Sequence, residues 1–160
     1  MKAAAHFHPA VQTWFEQTYT QATPVQEAAW EAIGSGQNAL IAAPTGSGKT
    51  LAGFLANIDH LVKQAISEPW DDAVRLVYVS PLRALSNDIE RNLQAPLEGI
   101  AATLAEQGVL CPTIRAQVRT GDTPQSERQK MRRKPPHILV TTPESLFILL
   151  STPHAAKMFE

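Results

Sequence analysis

The run Asn38-Ala39-Leu40-Ile41-Ala42 and the segment after it, Ala43-Pro44-Thr45-Gly46-Ser47-Gly48-Lys49-Thr50, constrain this 160-residue chain more than any other stretch. The first reads as a short buried strand, and the second as a glycine-rich phosphate-binding loop that opens a helix at Lys49. A strand, a tight loop and a helix start turn unpaired backbone amides toward one point at the positive end of the helix, which makes a cradle for anions. In such a cradle Lys49 reaches the β- and γ-phosphates of a nucleotide and the Thr50 hydroxyl holds Mg²⁺. Gly46 and Gly48 fit because backbone lying close to phosphate leaves no room for a β-carbon. The common pattern begins with Gly and this one begins with Ala43, so one position is relaxed.

The length suits one domain with a proper core. At 44% hydrophobic and 18% charged the composition is ordinary for a globular protein. No apolar run of about eighteen residues exists to span a membrane, and Met1–His6 lacks the apolar stretch of a secretory signal. Cys111, the single cysteine, excludes an internal disulfide and fits a reducing, cytoplasmic setting. Charge is placed unevenly. Between Arg115 and Lys134 seven basic residues face two acids, against seven and thirteen over the rest of the chain. That asymmetry points either to an anionic partner on one face or to a solvated helix face.

In chain order, Val11, Trp14 and Phe15 recur at helical spacing from Pro9 to Tyr19; His6 and His8 before them read as a tail rather than as metal ligands. Thr23-Pro24-Val25-Gln26 is a capping box with proline at the first helical position, opening a helix that Gly34 and Gly36 end. The Gln26 amide then has two readings: it caps Thr23, or it reads the edge of an adenine. Apolar residues from Leu51 to Ile66 predict a long helix from Lys49 to Ser67. Arg75–Ser80 reads as a strand. Leu82 to Gln107 is helical in pattern, broken or kinked at Pro96. Ile114–Arg119 is a third strand, Thr120-Gly121-Asp122 a turn, and Thr123–Arg133 a helix capped by Thr123. His137–Thr141 is a fourth strand, and Pro143 opens a helix whose Leu146, Phe147, Leu149 and Leu150 are expected to pack on the sheet.

Strands alternating with helices specify an α/β fold with a mostly parallel sheet covered on both faces. Ligands of such sheets bind beyond the carboxyl ends of the strands. That rule sets Ala43–Thr50, Pro81–Leu85, Thr120–Asp122 and Thr141–Ser145 along one rim.

Together these segments resemble superfamily 2 helicases. Ala43–Thr50 is similar to their motif I, Pro81-Leu82-Arg83-Ala84-Leu85 to motif Ia, Thr120-Gly121-Asp122 to motif Ib, and Thr141-Thr142-Pro143-Glu144-Ser145-Leu146 to the nucleic-acid motif that follows. Thr23-Pro24-Val25-Gln26 resembles the adenine-reading Q motif. The spellings of motifs Ia and Ib, and of the motif after them, look most like the large helicase-related (Lhr) DExH-box proteins. The resemblance covers nearly the whole chain and implies a P-loop NTPase (RecA-like) sheet flanked by helices, incomplete at its C-terminal end. By it, Ala43, Pro44, Thr45, Gly46, Ser47, Gly48, Lys49 and Thr50 hold ATP and its Mg²⁺, Gln26 reads adenine, and Arg83, Gly121, Asp122, Thr142 and Pro143 lie along the phosphodiester backbone of single-stranded DNA or RNA. Backbone contact suits a translocase, which must step along any sequence. DNA repair is the pathway the resemblance suggests.

The chain departs from the family in two places. Related proteins stack an aromatic ring on adenine at a set distance before the Gln; here Pro9 stands seventeen residues before Gln26, leaving Phe7, Trp14 or Phe15 as substitutes. No Asp-Glu-x-His or Asp-Glu-Ala-Asp occurs among the 160 residues. That segment normally holds Mg²⁺ and positions the attacking water, and an arginine often comes from a second motor lobe. The expected arrangement is therefore a lead-in over residues 1–22 and a partial RecA-like domain over 23–160, with the second lobe elsewhere in the protein and the chain alone inactive. Two other readings stand beside it: a small P-loop kinase or other phosphotransferase using the same cradle, with the 128–134 basic helix as its lid, and a truncated, non-enzymatic product that only binds nucleic acid or a partner through an exposed sheet edge.

Overall fold

The computed structural model describes residues 6–81 and 83–159, with backbone alone over residues 83–91 and at His154. It contains seven α-helices, a short 3-10 helix (Lys157–Phe159) and three strands among these residues, and it divides into two compact units: Met1–Glu68 with Pro96–Pro112, and Pro69–Ala95 with Thr113–Glu160.

The first unit holds α1 (Pro9–Thr18), α2 (Pro24–Gly34) and α3 (Lys49–Ser67). Helix α1 begins where His8 accepts a bond from the Ala10 amide at 3.2 Å, with Pro9 in its first turn. His8 is thus a cap, and its own amide donates to the Asp59 carboxylate at 2.6 Å. Helix α2 starts on the expected capping box: the Thr23 amide donates to Gln26 Oε1 at 2.9 Å and the Gln26 amide to Thr23 Oγ1 at 3.3 Å. Such a cap contributes about 1 kcal/mol. In α3 the residues at three- and four-residue spacing, Leu55, Ile58, Leu61 and Val62, are buried. Trp30 of α2 sits at the centre, its ring edge-on to Phe7 and to Phe15 at 5.2 Å each, and its indole N–H donates to the Ala52 carbonyl at 3.0 Å. Each aromatic pair adds about 0.5–1.5 kcal/mol beyond the area it covers.

The second unit is built on a parallel sheet of three short strands, β1 (Leu76–Val79), β2 (Ala116–Arg119) and β3 (Ile138–Thr141), in the order β1-β3-β2. Central β3 is buried along its whole length, as a continuous apolar run in a parallel strand should be. Val79, Thr141 and Arg119 stand in one row across the sheet, so all three strands deliver their carboxyl ends to the same edge. Helices α5 (Gln125–Arg133), α6 (Pro143–Ser151) and α7 (Pro153–Ala156) complete the unit. Leu139 packs with Val74, Met131, Leu149 and Met158 in its core.

Four expectations change. Asn38–Ala42 is not a strand, and Leu40 is 95% exposed. A strand exists only by pairing, and this run lies in the first unit, where no strand is found among the described residues. Residues 83–106 form one helix, α4, with Pro96 inside it, so of the break or kink expected there the break into two helices is not found; a proline removes one amide, and the carbonyl it would have met belongs to Asn92, an exposed residue. Helix α5 starts at Gln125, because the Thr123 hydroxyl is used otherwise: it accepts from the Thr120 amide at 2.9 Å and closes the turn. On α6 only Leu149 is fully buried and Leu146 half-buried, while Phe147 and Leu150 are 72% and 57% exposed. Positions 146 and 149 share one face of the helix and 147 and 150 another.

Candidate functional site

In the first unit the phosphate loop joins the run before it to α3. Its two glycines adopt the left-handed backbone that side chains resist, φ 82° at Gly46 and 85° at Gly48. Gly48 is the residue on which α3 starts, and no side chain caps that end. The first-turn amides of α3 therefore lack intrahelical partners, and no acid sits in that turn to repel an anion. Lys49 folds its ammonium back onto the loop, donating to the carbonyls of Ala43 and of Pro44, the latter at 2.7 Å. Thr50 is exposed beside it.

The Thr23–Gln26 segment is bound directly to this loop. Thr23 Oγ1 donates to the Ser47 carbonyl at 3.0 Å, and a β-carbon on Gly48 would come within 2.6 Å of Gln26 Nε2. Gln26 is 5% exposed and its Oε1 is taken by the cap, so of the two readings of this amide the capping one is realised in the fold, with Nε2 turned to the loop. The Ser47 hydroxyl is enclosed without a hydrogen-bond partner among the described residues. A cradle a β-carbon would fill, an unpaired buried hydroxyl, a cation on a flexible stem and an open helix start fit a polyphosphate. No group of three or more carboxylate, histidine or cysteine side chains among the described residues can hold a metal by itself, so Mg²⁺ fits here only as an ion shared between the Thr50 hydroxyl and phosphate oxygens.

In the second unit, the carboxyl edge of the sheet brings together Thr120-Gly121-Asp122 after β2 and Thr142-Pro143 after β3. Gly121, Asp122 and Pro143 are exposed. Thr142 is buried, and its hydroxyl accepts from the Ser145 amide at 3.4 Å as the cap of α6. The motif Ia residue Arg83 lies outside the described side chains.

Two arginines of the basic stretch Arg115–Lys134 have defined places at this edge. Arg128 of α5 donates through Nε to the Thr123 carbonyl at 2.8 Å and through Nη2 to the carbonyls of Gly121 at 2.6 Å and Thr120 at 3.3 Å. It clamps the turn. Arg119, the last residue of β2, is only 7% exposed. Burial, and then Arg128 and Arg132 close by, hold its guanidinium below the usual arginine range. Arg115 is committed elsewhere, to the Asp72 carboxylate at 2.5 Å and the Pro135 carbonyl at 2.8 Å. Lys130, Arg132, Arg133 and Lys134 are exposed. The only sequence signal for Arg119 was its place as the residue directly before the motif Ib turn.

All three aromatic rings considered for adenine are packed into the first unit: Phe7 is 9% exposed, Trp14 8% and Phe15 1%. Tyr19, against Phe15 at 5.1 Å between ring centres, is 40% exposed.

The family model of the DEAD/DEAH box helicases matches residues 23–159. The chain belongs to that family. It is 49% identical to the ATP-dependent helicase Lhr-Core of Methanocaldococcus jannaschii over 92% of its own length and 18% of that protein's, and 43% identical to the Lhr helicase/uracil glycosylase of Escherichia coli, of which it covers 10%. Among solved structures it superposes with a TM-score of 0.89 on the Mycobacterium smegmatis helicase Lhr bound to ssDNA and AMP-PNP, at 43% identity, covering 98% of this chain and 19% of that one. A DUF1998 helicase, MrfA, shares the fold at a TM-score of 0.75 and 23% identity. The Lhr resemblance read from the motifs is borne out, and the family leaves no place for a small-metabolite kinase. The chain spans between a tenth and a fifth of the Lhr relatives it matches. No helix among the described residues is long and apolar enough to cross a membrane.

Proposed function

We propose that this chain is the nucleotide-binding part of the first motor lobe of an ATP-driven DNA or RNA translocase of Lhr type. The observation that carries the reading is the likeness to the M. smegmatis Lhr bound to ssDNA and AMP-PNP, which extends over nearly every residue here. Ala43–Thr50 would hold the phosphates of ATP, with Lys49 on the β- and γ-phosphates and Thr50 on Mg²⁺. Leaving its present bonds to two loop carbonyls costs Lys49 little, because phosphate oxygens are the stronger acceptors. Gln26 stands at the loop, where Nε2, the amide atom its cap does not use, would meet the adenine. Gly121, Asp122, Thr142 and Pro143 would follow the phosphodiester backbone of one strand, with Arg83 from motif Ia.

ATP supplies the driving reaction when bound; the residues here bind and orient it. The water-positioning acid and the second lobe would come from the rest of the protein. The Lhr likeness supports a place in DNA repair, and the single cysteine fits the cytoplasm.

The test is ATP turnover with and without single strand. In the intact protein, hydrolysis should rise on adding oligonucleotide and disappear in Lys49→Ala; the 160-residue chain alone should stay at background. Turnover by the isolated chain that depends on Lys49 would overturn the assignment of the missing acid to another segment. Strand-independent turnover in the intact protein would overturn the translocase reading.

A further inference from the structure

We propose that Arg119 is a phosphate-binding residue of the sheet's carboxyl edge, its guanidinium taking a non-bridging oxygen of a nucleic-acid phosphodiester beside the Thr120–Thr123 turn, and that Arg128 positions that turn. The proposal rests on the reading of this edge as a strand-binding surface. Its first support is an unused donor: Arg119 is 7% exposed, and its Nη1 is enclosed with no hydrogen-bond partner among the described residues. Burying a guanidinium with a donor unpaired costs several kcal/mol, so such a group persists where a partner completes it.

The second support is the sign of its surroundings. Among the described residues, the charged groups that act on Arg119 are Arg128 and Arg132. Three guanidiniums gathered at the end of one strand call for an anion with several acceptor oxygens. A phosphodiester offers that, and the arginine fork matches it where an ammonium would not. The third support is the place. Arg119 stands beside Thr141 in the sheet register, the Thr141 hydroxyl donates to the Arg119 carbonyl at 2.7 Å, and the exposed Gly121-Asp122 follows two residues later.

Arg128 has a different task. Its Nε and Nη2 are used on three carbonyls of the turn, so it fixes the shape of the turn without touching the strand. A carboxylate from another segment of the protein would also satisfy Arg119, and salt dependence separates the two. A residue that neutralises a phosphate releases counterion, and the slope of log affinity against log salt changes by about 0.7 for each such contact on a single strand.

The experiment is fluorescence anisotropy of labelled oligo(dT) with the intact protein between about 50 and 200 mM salt. Failure of the wild-type protein to bind removes the strand-binding reading and this proposal with it. Given wild-type binding, Arg119→Gln should weaken affinity about tenfold and flatten the slope by about 0.7. Unchanged affinity overturns the assignment, and so does a changed melting temperature with the slope intact, which would mark a carboxylate partner. Should the Gln variant not fold, Arg119→Lys keeps the buried charge: affinity should fall severalfold with the slope kept, and wild-type affinity would overturn the assignment. Arg128→Lys should weaken binding with an unchanged slope; a flattened slope would make Arg128 a direct contact and overturn its positioning role.

Discussion

The Nε2 of Gln26 lies 2.6 Å from where a β-carbon on Gly48 would stand. The Gln26 amide and the last glycine of the loop before α3 therefore occupy one crowded place. Gly48→Ala meets this overlap and also a φ of 85°, a backbone that costs an alanine roughly 1 kcal/mol or more. Calorimetric titration of the intact protein should show ATP affinity reduced at least tenfold. Adding Gln26→Ala should recover only part of the loss, since it clears the space and leaves the backbone strained. Complete recovery would mean that the overlap alone matters.

Thr23 holds the same loop from another side. Its hydroxyl accepts the Gln26 amide proton and gives its own to the Ser47 carbonyl. Thr23→Val keeps the shape and loses both bonds, so the chain should lose about 2 kcal/mol of stability, the sum of a cap and one hydrogen bond. Thr23→Ser should retain most of it. Denaturant melts of the three proteins make the comparison, and a valine variant as stable as wild type would show that neither bond contributes.

What was legible in the sequence was chemistry that acts within a few residues. The Thr23–Gln26 box, the helix start at Lys49 and the turn at Thr120–Asp122 depend on neighbours in the chain, and each formed where its residues stand. Asn38–Ala42 failed for the opposite reason: a strand needs a partner, and apolar character alone does not supply one. Arg119 was hidden by its type. An arginine alternating with Ala116 and Val118 reads as a solvent-facing position, yet it is among the buried residues. The likeness to known motifs carried the family assignment, which periodicity alone could not supply.

Helix α6 offers a direct check on a face that periodicity left open. Leu146, Phe147, Ile148, Leu149 and Leu150 are all apolar, so no stripe is visible in the letters. The fold buries Leu149 completely and leaves Phe147 72% exposed. Leu149→Ala should cost the chain about 2–5 kcal/mol, and Phe147→Ala close to nothing despite its larger ring. Thermal melts of both variants test this, and a reversed order would mean that the helix turns its other face to the sheet.

His137 makes the second unit sensitive to acid. Its ring is fully enclosed, Nδ1 accepts from the Arg115 amide at 3.0 Å, and Nε2 lies 3.9 Å from the Asp72 carboxylate, too far for a hydrogen bond. Burial, then the Arg115 charge, lower its pKa to about 4; the Asp72 carboxylate and the backbone carbonyl of Asp71 act against this, and Arg75 adds to it. The folded protein therefore keeps the imidazole neutral, while the unfolded chain takes up a proton near the ordinary value of about 6.5. Stability is full above that value and declines as pH falls toward 4, because only the unfolded state gains the proton in that window. Between pH 7 and pH 5 the loss should reach about 2 kcal/mol. Asp72, held below the usual carboxylate range chiefly by its bond to Arg115, extends the decline to lower pH, since its contribution is present above its unfolded value and lost below it. Denaturant midpoints at the two pH values measure the effect, and His137→Asn should remove most of the difference while keeping an acceptor for the Arg115 amide. A difference that survives in the Asn variant would place the sensitive group elsewhere. Trp70, its ring tilted by 40° against His137 with centres 4.6 Å apart, gives an independent optical signal: its fluorescence should stay constant down to about pH 5 in the folded chain and drop only as the imidazole is protonated or the unit opens.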